Sequence, residues 1–276
     1  MPFDGLAVLS LESRRSPEMR KLIENQGGVP FVAPSMREVP IEANPAAFEF
    51  AERLFAGEFD MVILLTGVGT RYLHKVLATR YPPERFPEAL RRVTVVARGP
   101  KPVAACRELN VPIALTAPEP NTWREVLEVT KNSPESRIAV QEYGKSNPDL
   151  LDGLRARGKQ VTAVPVYQWD LPEDLTPLRE AARRLASGDF SVALFTTSVQ
   201  IDHLIRVAEE EGIVGQLRQG LDGAIIASVG PTTTESLELH GFKPDFEPSH
   251  PKMGTLVVEL AQTAPHLLAE KKRMRL

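Results

Sequence analysis

Cysteine is almost absent from this 276-residue chain, which has one, Cys106. A single thiol excludes a disulfide framework and any metal site built on clustered thiolates. It also suits a cytoplasmic protein, which is the expected location. Cys106 falls inside an expected helix between Ala105 and Arg107, where no neighbour would lower a thiol pKa, so no reactive role is expected. The histidines at 74, 203, 240, 250 and 266 show no metal-ligand spacing. His74, His203 and His240 fall on expected helices. No apolar run approaches the ~20 residues that a membrane span needs. The first residues, Met1-Pro2-Phe3-Asp4-Gly5, offer neither the basic nor the apolar part of a secretion signal. Charge of one sign is also missing: the net value is −3, with no strong pull toward nucleic acid or anionic membrane. Aromatics are few, at 6%, yet the hydrophobic share of 42% can fill one large or two ordinary α/β domains.

Strand–turn–helix punctuation is what the chain has in quantity. The 24 prolines are spread between elements rather than gathered in a disordered tract. Short apolar runs read as strands at Leu6–Ser10, Val29–Ala33, Phe59–Leu65, Val93–Ala97, Ile138–Val140, Val192–Phe195 and Ala224–Ile226, with a weaker one at Pro112–Leu115. Met36–Ile41 and Val161–Val166 read as extended. Helical patterns lie between them, at Ser16–Asn25, from Asn44-Pro45, from Thr70 to Leu77, up to Leu109, and over 122–131, 149–156, 175–187, 201–211 and 254–270. This alternation predicts an α/β fold with mostly parallel sheets covered on both faces.

The chain repeats itself at an offset of 131. Phe59 matches Phe190, Thr66 matches Thr197, Leu73 matches Leu204, Gly99 matches Gly230 and Pro17 matches Pro148. A period this long means two copies of one α/β domain, not a solenoid. Ligands of open parallel sheets sit beyond the carboxyl ends of the strands. The loops expected there are Thr66–Thr70, Arg98–Lys101, Tyr143–Ser146, Thr197–Gln200 and Gly230–Thr233. They offer backbone donors, hydroxyls and a few cations, with almost no carboxylates, cysteines or histidines. That suits a polyanion held by many modest contacts. At Val229-Gly230-Pro231-Thr232-Thr233-Thr234 a strand ends and a helix opens on Pro231, so its free N–H groups make an anion site. The plainer alternative is that Thr232 only caps this helix. A dinucleotide site is not expected, because Tyr72 stands where Gly67-Val68-Gly69 would need a third glycine.

Leu64-Leu65-Thr66-Gly67-Val68-Gly69, Ala97-Arg98-Gly99, Tyr143-Gly144-Lys145, Val164-Pro165-Val166-Tyr167 and Val229-Gly230-Pro231-Thr232-Thr233 occur in that order. Together they resemble the uroporphyrinogen-III synthase family over roughly 6–268. The resemblance implies two similar lobes with parallel sheets flanked by helices, joined by a two-stranded linker. A tandem duplication would split the chain near 135. The family pattern instead implies a discontinuous lobe of 1–36 plus 173–276, a second lobe of 44–165, and linkers at 37–43 and 166–172.

The family reaction closes hydroxymethylbilane, a linear tetrapyrrole with eight carboxylates, to the type III isomer. The last pyrrole ring is inverted and water is lost, with no metal or organic cofactor implied. A small-molecule substrate, a monomer, and neither nucleic acid nor membrane as partner are the matching expectations. By resemblance Tyr167 is the family's linker tyrosine and the candidate general acid, since a phenol titrates near ~10 and stays protonated at neutral pH. Its alternative is an aromatic that packs the hinge. Thr66, Ser198, Thr232 and Thr233 match positions near the product's carboxylates, and Arg14 with Arg15 could add charge after Leu11-Glu12-Ser13. With the strand-end loops, the candidate substrate contacts are Arg14, Thr66, Gly67, Val68, Arg98, Gly99, Lys101, Tyr143, Gly144, Ser198, Val199, Gln200, Gly230, Thr232 and Thr233. Two other classes share these loops: a non-catalytic two-lobed binder of an anionic small molecule, and a regulatory module descended from the enzyme.

Overall fold

The computed structural model describes residues 2–40, 44–144 and 146–274. The chain runs β1 (Ala7–Ser10), α1 (Ser16–Asn25), β2 (Val29–Val32), β3 (Arg37–Pro40), α2 (Pro45–Phe55), β4 (Met61–Leu64), α3 (Gly67–Leu77) and α4 (Arg85–Leu90). It continues through β5 (Thr94–Ala97), α5 (Pro100–Glu108), β6 (Leu115–Thr116), α6 (Trp123–Val129), β7 (Arg137–Glu142), α7 (Pro148–Arg155), β8 (Gln160–Pro165) and β9 (Tyr167–Asp170). It ends with α8 (Thr176–Ala186), β10 (Val192–Phe195), α9 (Val199–Glu210), α10 (Val214–Gly223), β11 (Ile225–Ser228), α11 (Pro231–Leu239) and α12 (Met253–Met274).

Two compact units result: Met1–Arg37 with Asp170–Leu276, and Glu38–Trp169. The first holds a parallel sheet in the order β11-β10-β1-β2, the second a parallel sheet in the order β6-β5-β4-β7-β8. The chain passes between the units through β3 and β9, which pair with each other. Arg37 fastens this ribbon within the first unit: Nε donates to the Leu171 carbonyl at 3.1 Å and Nη1 to Glu173 at 2.8 Å. Residues 41–43 of the expected linker, and Lys145 of the Tyr143-Gly144-Lys145 run, lie outside the described residues.

Both faces of each sheet are covered, so its strands are apolar without alternation. In the first unit Leu9, Ala193, Phe195 and Ile226 pack under α8, α9 and α10, while Val8, Val192, Leu194 and Ile225 pack under α1 and α12. In the second, Val62, Leu64 and Val95 face α2, α3 and α4, while Met61, Ile63 and Val140 face α6 and α7. Full burial of each such side chain is worth ~1.5–3 kcal/mol. Proline occupies one of the first two positions of α1, α2, α5, α7, α8 and α11, where its missing N–H costs nothing. Asn44 and Asn147 cap α2 and α7, and Thr122 with Glu125 closes a capping box on α6.

Three expectations change. The helices α4 and α10 were not foreseen. Pro87 interrupts the first, and Gly215 and Gly220 make the second read as loop. The strand expected at Pro112–Leu115 is only Leu115–Thr116, an edge strand that begins after the proline. The repeat holds strand for strand, with one slip. Met61 pairs with Thr94 as Val192 pairs with Ile225, an offset of 131, but β1 maps onto β7 at 130. Among the described residues no helix is long and apolar enough to cross a membrane.

Two tests follow from the packing. Cys106 has no exposed surface, and burial pushes its thiol up to about 11. Iodoacetamide at pH 8 should leave it unmodified in the native protein and label it in denaturant; native labelling at the rate of a free thiol would contradict this. The Arg137 guanidinium and N–H groups beside Asp60 hold its carboxyl well below the usual carboxylate range. A depressed folded-state pKa gives stability that is present above the unfolded value of ~3.9 and lost as pH falls. Asp60→Asn should therefore lower Tm at pH 7 and narrow its gap to wild type toward pH 3. An unchanged gap across that range would rule the pair out as a source of acid sensitivity.

Candidate functional site

One hollow lies away from the carboxyl edges of the sheets. About 690 Å³ in volume, it lies in the second unit against Asp60, Arg85, Arg92, Thr94 and Arg137, where β4, β5 and β7 begin. Arg92 follows the end of α4 and offsets the negative helix pole there, while Arg137 opens β7 in its ion pair with Asp60. The chemistry is sought instead at the opposite edge, where strands end and helices begin.

In the second unit that edge is built on Thr66. Its Oγ1 accepts the Gly69 N–H at 3.0 Å and caps α3, and its N–H donates to Gln141 Oε1 at 3.2 Å. The Tyr167 hydroxyl lies 3.3 Å from Thr66 Oγ1. Tyr167 is 2% exposed, set edge-on to Tyr72 at 5.7 Å and beside Tyr143 at 6.5 Å. Tyr143 meets Trp169 edge-on at 5.5 Å, and the backbone of Gly144 lies so close to the indole that a Cβ there would come within 2.4 Å of it. Gly144 N–H donates to the Tyr167 carbonyl at 2.9 Å, tying the β7 loop to β9. The Arg98 guanidinium sits 4.5 Å from the Tyr143 ring centroid and donates to its hydroxyl. Gly99 opens α5 without a side-chain cap, and Asn121, in the amide orientation its surroundings require, donates to the Arg98 carbonyl. Gly67 packs against the Lys101 carbonyl, where a Cβ would come within 2.4 Å, so α3 and α5 begin side by side. Val68 is half-buried beside this cluster.

In the first unit the edge carries Arg14, exposed in the loop after β1, and the starts of α9 and α11. Gly230 stands at the N-cap of α11 with no side chain capping it, so Thr232 is not the cap. Thr232 is half-buried and Thr233 buried. Ser198 begins α9 next to buried Val199, and its carbonyl accepts the Ser236 hydroxyl at 2.9 Å. Gln200 is buried, and its amide bonds run inside the fold. Its Oε1 accepts the N–H of Thr196 at 2.7 Å and of Thr197 at 3.2 Å, and its Nε2 donates to the Leu11 carbonyl at 2.9 Å.

The sequence reading missed several residues at these edges. Gln141 does in one unit what Gln200 does in the other. The position equivalent to Gln200 is Gly69, where a Cβ would lie 2.2 Å from Gln141 Nε2. Glu12 and Glu142 put a carboxylate at the end of β1 and of β7, where almost none was expected. The 130-residue register would have matched this pair. Trp169 was also missed; its Nε1 is buried without a partner among the described residues.

The sequence model of the uroporphyrinogen-III synthase HemD family matches residues 17–258. The chain belongs to the uroporphyrinogen-III synthase family. A Bacillus subtilis (strain 168) protein, YjjA, described as uncharacterized, is 29% identical over 256 residues, covering 91% of this chain and 93% of YjjA. A mutant uroporphyrinogen III synthase from the extremely thermophilic bacterium Thermus thermophilus superposes with a TM-score of 0.70 at 24% identity, covering 95% of this chain and 99% of that one. The uroporphyrinogen-III synthetase of Helicobacter pylori 26695 gives 0.54 at 14% identity, covering 94% and 99%. At these identities the superpositions establish the uroporphyrinogen-III synthase fold.

Gly69→Ala tests the amide bridge of the second unit. Alanine gains up to ~1 kcal/mol of helix propensity over glycine. It must also displace Gln141, and so break the bond to Thr66 N–H and leave buried polar groups unpaired, at ~1–3 kcal/mol. The expected result in urea denaturation is a net loss, and Gly69→Ala should cost less in a Gln141→Ala background. A Gly69→Ala protein more stable than wild type would remove the bridge from the account.

Proposed function

We propose that this chain is a uroporphyrinogen-III synthase, a cyclising lyase of tetrapyrrole and heme-type biosynthesis. It takes hydroxymethylbilane to the type III macrocycle with inversion of the terminal ring and loss of water. The observation that carries the reading, within a family match over most of the chain, is a phenol held on the capping threonine of α3. Thr66 Oγ1 already accepts from Gly69 N–H, so its own proton is free to point at Tyr167 Oη. With the bond in that direction, the phenol is the group that donates to the departing hydroxyl. The C–O bond breaks with electrons from the pyrrole, and the oxygen leaves as water with the phenol proton. The ring-closing carbon later loses a proton, its electron pair returning to the pyrrole, and that proton restores the phenol.

Carboxylate binding is assigned to Arg14, Arg98, Lys101, Ser198, Thr232 and Thr233, with backbone donors at Gly67, Val68, Gly99, Gly144, Val199 and Gly230. A polyanion fits such a set, because charge-assisted bonds of ~1.5–3 kcal/mol accumulate without one dominant contact. Catalysis is then mainly orientation of a folded-back chain. The protein is taken to act as a cytoplasmic monomer, on a small-molecule tetrapyrrole, without nucleic acid or membrane as partner. Burial of Tyr167 to 2% is the observation that favours the second reading. In it the tyrosine only packs the ribbon, and the same edges bind an anion without turning it over.

Incubation with hydroxymethylbilane and chromatographic separation of the isomers decides between these readings. Type III product supports the enzyme; type I alone, the uncatalysed ring, ends it. Tyr167→Phe should lower turnover by ~10²-fold, the low range for general acid catalysis. It should lower stability by only ~0.5–1.5 kcal/mol, for one lost hydrogen bond. Turnover near wild type would take Tyr167 out of the chemistry.

A further inference from the structure

The two units carry the same glutamate twice, at a spacing that the constant offset hides. Val8 pairs with Val192 as Ile138 pairs with Met61, and Ala7 with Val29 as Arg137 with Gln160. In that register Glu12 falls on Glu142. Each carboxylate turns back on the loop that follows its own strand. Glu12 Oε1 accepts the N–H of Arg14 at 2.9 Å and of Arg15 at 3.1 Å, and Oε2 accepts the Thr196 hydroxyl at 2.7 Å. Glu142 Oε1 accepts the Ser146 hydroxyl at 2.7 Å and the Asn147 N–H at 3.2 Å, and the residue is buried.

A negative charge at the ligand edge opposes a polyanion, so its presence in both units needs a reason. The loop donors supply one. An ionised carboxylate only accepts, and has about four lone-pair sites. It can therefore fasten several loop donors at once, and fix a loop that water would leave mobile. The loops so fastened are the ones that carry Arg14 in the first unit and Tyr143 and Gly144 in the second.

We propose that Glu12 and Glu142 are a matched pair of positioning residues. Each holds its loop in the shape that binds the substrate's carboxylates and pyrroles, and neither takes part in the chemistry. The inference rests on the tetrapyrrole reading above. It requires the acceptor oxygens and not the charge, so glutamine serves in place of Glu142, where one oxygen takes both bonds, and serves only in part at Glu12, where it removes the acceptor of the Thr196 hydroxyl.

The test uses the full chain, with uroporphyrin III as the binding probe, followed by quenching of tryptophan fluorescence, and hydroxymethylbilane turnover beside it. Glu12→Ala and Glu142→Ala should each weaken probe binding and raise KM by about tenfold, with kcat within about twofold, as expected when a loop loses its acceptor. Glu142→Gln should bind at least as well as wild type, and Glu12→Gln, which keeps one acceptor oxygen for the Arg14 and Arg15 N–H groups, should fall between wild type and Glu12→Ala. Glu12→Asp and Glu142→Asp keep the charge but shorten the reach, and should weaken binding even if an alanine variant does not fold. Wild-type binding by folded alanine or aspartate variants overturns the proposal. So does glutamine as damaging as alanine, which would make charge the cause. Wild type that binds uroporphyrin III without turnover sinks the enzyme reading alone, and the variant-to-wild-type ratios still judge the glutamates.

Discussion

Each sheet depends on one buried side-chain amide at its carboxyl edge. Gln200 reaches from α9 to the end of β1, and Gln141 reaches from the end of β7 to the start of α3. Both amides accept the N–H of the loop that leaves the central strand. A buried N–H without a partner costs ~1–3 kcal/mol, so these loops have little freedom in where they depart. Once the departure is fixed, so is the first turn of the helix that follows. The two units thus make one bridge from opposite sides, and Gly69 is the empty place left where the second unit moved its glutamine to the neighbouring strand.

That constraint sets the chemistry of the second unit. Thr66 is held by its N–H to Gln141 and by its hydroxyl to the Gly69 N–H, so its Oγ1 is a fixed point for Tyr167. The rings of Tyr72 and Tyr143 flank the phenol, and Trp169 and Arg98 pack on Tyr143 in turn. Aromatic rings of this kind form a stiff surface at small entropic cost, since each has only two torsions to fix. The helix starts add donors without adding mobile charge. A parallel α/β unit places the amino ends of its helices and the carboxyl ends of its strands at one edge, so the free N–H groups of several helices gather there from topology alone.

The sequence by itself determined the class of fold, the pairing of strands with helices and most helix starts. These are local properties: apolar runs of four residues, proline at the first helical positions, asparagine or threonine at the caps. It also determined the internal repeat and, through the ordered motifs, the family. It hid α4 and α10, because proline and glycine weaken a helical pattern that tertiary packing then restores. The tertiary structure alone decided which of the edge donors are already taken. Gln200, read as a ligand contact, spends its amide inside the fold, and nothing in the residues near it announces the partner Leu11, 189 positions away. It alone showed that Tyr167 is flanked by two rings and rests on Thr66, a residue 101 positions away. It also slipped β1 against its copy by one residue and so aligned Glu12 with Glu142. Hydrogen bonds between residues distant in sequence leave no periodicity to read, because they depend on where two strands meet and not on what either strand contains.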